Sequence, residues 1–187
     1  MRPAPPPLPW KRSPLRAELL ALYARADALF DGWACACSGP SRAEPAIPTC
    51  CHFAVTGREP YPTAIELEEV RHAIAAAPPP GLSRARRPIR GPAQPRRQLP
   101  LAEGDAGRGA CPLLRDDGRC RIYAARPFGC RTFFCDGAEG PGRSKLPRDE
   151  ALAIGRHIAD LSARFDPKNP GARPLVRALQ ALARRPG

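Results

Sequence analysis

Residues 111–135 read CPLLRDDGRCRIYAARPFGCRTFFC, and half of the eight cysteines of this 187-residue chain lie there: Cys111, Cys120, Cys130 and Cys135. Aromatic residues, scarce elsewhere, concentrate in the same stretch at Tyr123, Phe128, Phe133 and Phe134. A second cysteine group lies upstream, with Cys35 and Cys37 followed by the vicinal pair Cys50 and Cys51. Two clusters of thiols with long cysteine-free segments between and after them have the form of ligand sets.

The spacing within the stretch constrains how those thiols can meet. Asp117-Gly118 is a two-residue hairpin signal, and alternating residues flank it. In that register Arg115 lies opposite Cys120, and Cys111 falls four residues further along the strand. At about 3.3 Å per residue that places Cys111 on the order of 13 Å from Cys120. Metal–sulfur bonds are only about 2.3 Å, so the two cannot share an ion across a straight ladder. Two readings stay open: the strand bends sharply at Cys111-Pro112, or these cysteines serve different sites. Cys130 and Cys135 require an intervening turn to share an ion, and Arg126-Pro127 and Gly129 supply backbone breaks nearby. Cys50 and Cys51 point apart in any extended conformation, whereas Cys35-Ala-Cys37 puts both thiols on one side. The absence of any C-x-x-C argues against a thioredoxin-like redox site and an ordinary zinc finger.

The length fits a single domain, and the 26 Pro and 16 Gly reduce the share of chain that can pack into regular elements. A modest core around a cysteine-rich centre is the situation in which a bound metal contributes folding free energy directly. The formal net charge is +12, which makes nucleic acid a candidate partner. Only three of the 30 basic residues are Lys, however, and the Arg, Ala and Pro bias reflects skewed composition as readily as a binding face. Arg115, Arg119, Arg121, Arg126 and Arg131 are interleaved with the second cluster, where they can offset thiolate charge. We favour that electrostatic role over a nucleic-acid surface.

The N-terminal residues contain no apolar signal core and no run long enough to span a membrane. A reducing cytoplasm is therefore the expected compartment, where clustered cysteines hold metal more often than disulfides. An even count of eight would also suit a disulfide framework, against which the lack of an export signal weighs. Soft sulfur ligands select zinc or iron, including iron–sulfur clusters, over magnesium or calcium. A single cysteine can instead be a buried small hydrophobe, Cys35 or Cys135 first. His52 ranks below every cysteine as a ligand.

Outside the clusters the pattern is helical. Residues 1–12 are Pro-rich and read as disordered or extended. Ser13-Pro14 then opens a helix over residues 14–30, with Leu15, Leu19, Leu22, Ala26 and Leu29 on one face. Thr63-Ala64-Ile65-Glu66 is a capping box opening a helix to about residue 77, with Leu67, Val70 and Ile74 on its apolar face. His72, four residues after Glu68, suits a solvated Glu–His pair. Residues 78–109 are a Pro/Arg-rich loop insertion, with six Arg and no acid between 81 and 97 and no interleaved aromatics. Pro147 begins a further helix with Ala151, Ile154, Ile158, Leu161 and Phe165 on one face, and His157 on the rim of that face reads as a partly buried structural residue. Leu175, Leu179 and Leu182 mark a short final helix. The three histidines are far apart, and no phosphate loop or carboxylate pair stands out, so binding is favoured over catalysis.

The elements Cys-Pro-Leu-Leu, Gly-Arg-Cys-Arg-Ile-Tyr, Arg-Pro and Cys-Arg in residues 111–135 resemble the YkgJ-type cysteine-cluster family, described as a zinc- or iron-chelating domain. The upstream group departs from that pattern, because 12 residues separate Cys37 from Cys50 where the family gathers its first cysteines tightly. The resemblance implies metal chelation, carried by Cys50, Cys51, Cys111, Cys120 and Cys130. The expected architecture is a mainly α single domain over residues 13–185, with a small irregular or β-hairpin cysteine-rich centre stabilised by metal. Cys35, Cys37 and Cys135 complete the expected ligand set. The rival functions are an iron–sulfur redox enzyme or assembly factor, and a metal-stabilised nucleic-acid binder using the Arg-rich loop.

Overall fold

The structure, a computed structural model, describes residues 9–31, 51, 53, 57–77, 110–115, 120–132 and 147–183. Cys35, Cys37, Cys50, Cys135, His52, the loop insertion at 78–109 and the Asp117-Gly118 turn lie outside the described residues. Those described are mainly helical, with five helices and no strand among them. The helices are α1 (Pro14–Leu29), α2 (Ala64–Ala76), the single turn α3 (Phe128–Arg131), α4 (Arg148–Phe165) and α5 (Leu175–Ala183). None is long and apolar enough to cross a membrane.

Helix α1 starts where Ser13-Pro14 directs it, with the Ala17 amide donating to the Ser13 carbonyl at 3.2 Å. The Ser13 side chain makes no capping bond. Leu19, Tyr23 and Ala26 form the buried stripe, while Leu15, Leu22 and Leu29 are partly buried at its edges. The stripe is thus rotated toward Tyr23 from the all-aliphatic face expected, because the Tyr23 hydroxyl has a partner inside. Helix α1 packs on α4, whose Ile154, Ile158 and Leu161 join Ile65 of α2 in this first core.

Helix α2 opens with the capping box expected at Thr63 and Glu66. The Glu66 carboxylate accepts from the Thr63 amide at 2.8 Å and from its hydroxyl at 2.9 Å. The Ile65 amide, another donor that the helix leaves without an intrahelical partner, reaches Ser162 Oγ at 3.4 Å, and that hydroxyl donates to the Pro170 carbonyl at 2.9 Å. Of the expected Leu67, Val70 and Ile74, Val70 is fully buried and the other two only partly, and the buried face of α2 is Ile65, Glu66, Glu69 and Val70. Two carboxylates can occupy it because each is matched by donors. Glu69 accepts from Trp10 Nε1 at 2.7 Å and from Arg16 Nε and an Arg16 terminal nitrogen at 2.7 and 2.9 Å. Glu68 pairs with Arg71 rather than with His72.

The same bond to Glu69 corrects the disordered reading of residues 1–12 over its last four positions. Trp10–Arg12 form a 3₁₀ turn, and the Trp10 ring meets Phe165 edge-on at 5.4 Å. His157, expected to be partly buried, is exposed on α4.

A second core lies on the other side of α2, where Val70 meets Leu113, Ile122, Ala125, Leu175 and Leu179. Phe53, Cys111 and Cys120 pack against it. Helix α5 is held there by backbone bonds from Arg173 and Leu175 to the Pro62 and Pro60 carbonyls (3.1 and 3.0 Å), and by Val176 donating to Glu59 Oε1 at 2.6 Å. Helix α2 is therefore the shared wall between a helical core and a core built on the cysteine segment.

Candidate metal centre

The cysteine segment is irregular for a reason visible in its backbone bonds. The Leu114 amide donates to the Cys111 carbonyl at 3.0 Å, which closes a turn over Cys111-Pro112 and removes that amide from any ladder. What remains of the expected hairpin is one antiparallel bridge, between Leu114 and Cys120, with Arg121 donating to the Leu113 carbonyl at 2.8 Å. Cys120 thus pairs with Leu114, one residue from the expected Arg115. The backbone does bend at Cys111-Pro112, as the first of the two readings expected.

That bend brings separate stretches together. The Cys111 amide donates to the Cys51 carbonyl at 2.7 Å, so Cys51 is tied to the second cluster. After the bridge, Tyr123–Ala125 form a 3₁₀ turn and Pro127 starts α3, which carries Cys130. The Cys130 amide donates to the Pro127 carbonyl at 2.9 Å. Phe128 sits under α4, where Gly155 leaves room: a Cβ there would stand 3.3 Å from the Phe128 ring. Cys51, Cys111, Cys120 and Cys130 all carry thiols rather than disulfides.

Cys130 responds to its neighbouring thiols electrostatically. Burial pushes the Cys130 thiol well above its ordinary range, and the neighbouring Cys111 and Cys120 push it further, while Arg126 works in the opposite direction. Burial likewise raises Cys120, offset in part by a backbone hydrogen bond from Ile122 and by Arg126. Arg126 is held beside them by its Nε bond to the Tyr123 carbonyl at 3.0 Å and by stacking 3.6 Å over the Tyr123 ring. Arg126 thus acts on both Cys120 and Cys130. Arg131 has a different task, for it is buried and directs its donors to Asp27 at 2.5 Å, the Arg126 carbonyl at 2.8 Å and the Ala124 carbonyl. Its guanidinium also lies 4.2 Å over the Tyr23 ring, pinning α1 to the cysteine segment.

The chemistry of this donor set fits a soft cation, since the thiols are partly buried and not oxidised, and Cys111 and Cys120 stand close enough to act on Cys130. The described residues do not close a site by themselves: no group of three or more His, Cys, Asp or Glu among them has metal-holding geometry. His72 and His157, both described, therefore belong to no such group. The sequence reading missed Glu66 as a neighbour of the cluster. Its signal was the spacing of Glu66 and Glu69, three apart on the helix face that also carries Ile65 and Val70. Compared with family models, with curated proteins and with solved structures, the chain matches none.

Proposed function

We propose that this chain is a metal-binding protein that coordinates zinc or iron through clustered cysteine thiolates. The observation that supports this most is the gathering of three thiols from separate turns of chain, with Cys111 and Cys120 close enough to act on Cys130 and Cys51 tied to them through the Cys111 amide. The likeness of residues 111–135 to the YkgJ-type cluster points the same way. Cys35, Cys37, Cys50 and Cys135 are the remaining donors in this reading. A bound cation would supply the charge that lets these thiols give up their protons together, and it would cross-link the segments that form the second core. Because burial holds Cys120 and Cys130 protonated without it, uptake releases protons and affinity rises with pH.

Anaerobic purification followed by an optical spectrum tests the reading. A colourless protein that loses stability to a chelator indicates zinc, and visible absorbance bleached by dithionite indicates an iron–sulfur cluster and the redox alternative. A folded protein indifferent to chelators, with every thiol open to alkylation, refutes metal binding altogether.

A further inference from the structure

We propose that Glu66 is the positioning residue of the thiol cluster, seating the helical turn that carries Cys130. The inference rests on the metal-binding reading for its purpose, and on hydrogen-bond geometry for its content. Helix α3 is a single turn with no side-chain cap of its own from Pro127, which also lacks an amide. The Phe128 amide is the first donor of that turn, and in an isolated helix it has no partner. Here it donates to Glu66 Oε1 at 2.7 Å. The same oxygen accepts from the Tyr23 hydroxyl at 3.2 Å, while Oε2 takes the Thr63 amide and hydroxyl.

One buried carboxylate, 3 % exposed, thus caps α2 and α3 simultaneously and fixes both against α1. Cys130 lies two residues beyond Phe128 in the same turn, so its thiol's direction depends on that anchor. A charge beside the thiols disfavours their ionisation, and Glu66 does act on Cys130 in that sense. Its retention at this spot is explained by what its two oxygens hold. A neutral amide cannot replace it, because one of its two ends donates, and either Thr63 or Phe128 would then face a donor.

Amide hydrogen exchange on the metal-free protein tests the geometry directly. The Phe128 amide of the wild type exchanges slowly, although the first residue of a helix ordinarily exchanges fast. Exchange at the free-chain rate there overturns the inference, without any variant. In Glu66→Ala, which removes both oxygens, the Phe128 and Cys130 amides lose at least about tenfold protection while Ile158 in α4 is unchanged. Thr63→Ala, which damages the α2 cap alone, leaves all three as they were. Equal loss at all three positions in Glu66→Ala marks a global effect and also overturns the proposal. For the loaded protein the probe is cobalt(II): Glu66→Ala shifts the thiolate–cobalt spectrum and Thr63→Ala does not. A wild type that takes up no cobalt or zinc refutes the metal reading, while the Phe128 exchange rate still decides the role of Glu66.

Discussion

Tyr23 donates its hydroxyl to Glu66 from within the first core, and its ionisation is held well above 10.0 by burial foremost and by the Glu66 charge next. The folded protein keeps a proton there that the unfolded chain gives up. Stability is therefore full below pH 10.0 and falls as the pH climbs past it. Tyr23→Phe has no such proton, so it is expected to lose about 1 kcal/mol at neutral pH and to close the gap to the wild type in alkaline solution. Urea midpoints of the two proteins across that range check it, and parallel curves would speak against the sign. Arg131 gives a second expectation at this scale. Removing its guanidinium leaves the Ala124 and Arg126 carbonyls and Asp27 without their partner. A buried group left unmatched costs about 1–3 kcal/mol, so Arg131→Ala should lose at least about 2 kcal/mol in urea unfolding. Arg131→Lys should recover little of it, because a lysine cannot address three acceptors with a planar fork.

Elements were legible where the signal is local. The starts of α1 and α2 follow from Ser13-Pro14 and from the Thr63–Glu66 box, and α4 and α5 from aliphatic spacing near 3.6 residues. The faces were less legible, since an apolar stripe cannot announce a glutamate that has found donors on another helix. Glu69 needs Trp10 and Arg16, 59 and 53 residues away in sequence, and no window around α2 contains them. The bend at Cys111 was foreseen as one of two readings and left open, because it depends on which acceptor the Leu114 amide selects. The register slip from Arg115 to Leu114 has the same origin. Helix α4 provides the test of the first core. Ile158, 2 % exposed, should cost about 2–5 kcal/mol when cut to alanine, whereas Leu152, 60 % exposed on the same helix, should change stability by less than about 0.5 kcal/mol. Thermal or urea unfolding of the two variants separates them.

For the whole molecule, α2 divides a purely helical core from one that includes Cys111 and Cys120. Among the described residues the second core is carried by α2, α5, the bridge between Leu114 and Cys120, and the 3₁₀ turn at Tyr123–Ala125. On the metal-binding proposal, a cation drawing its thiols together would cross-link this core, and the first core should survive without it. The metal-to-protein ratio of anaerobically purified material, measured for the wild type and for a Cys111→Ser, Cys120→Ser, Cys130→Ser triple variant, tests this most directly. The account predicts at least one zinc or iron per chain in the wild type and loss of that metal in the variant. A folded wild type that contains no metal, or a variant that keeps all of it, would contradict the account.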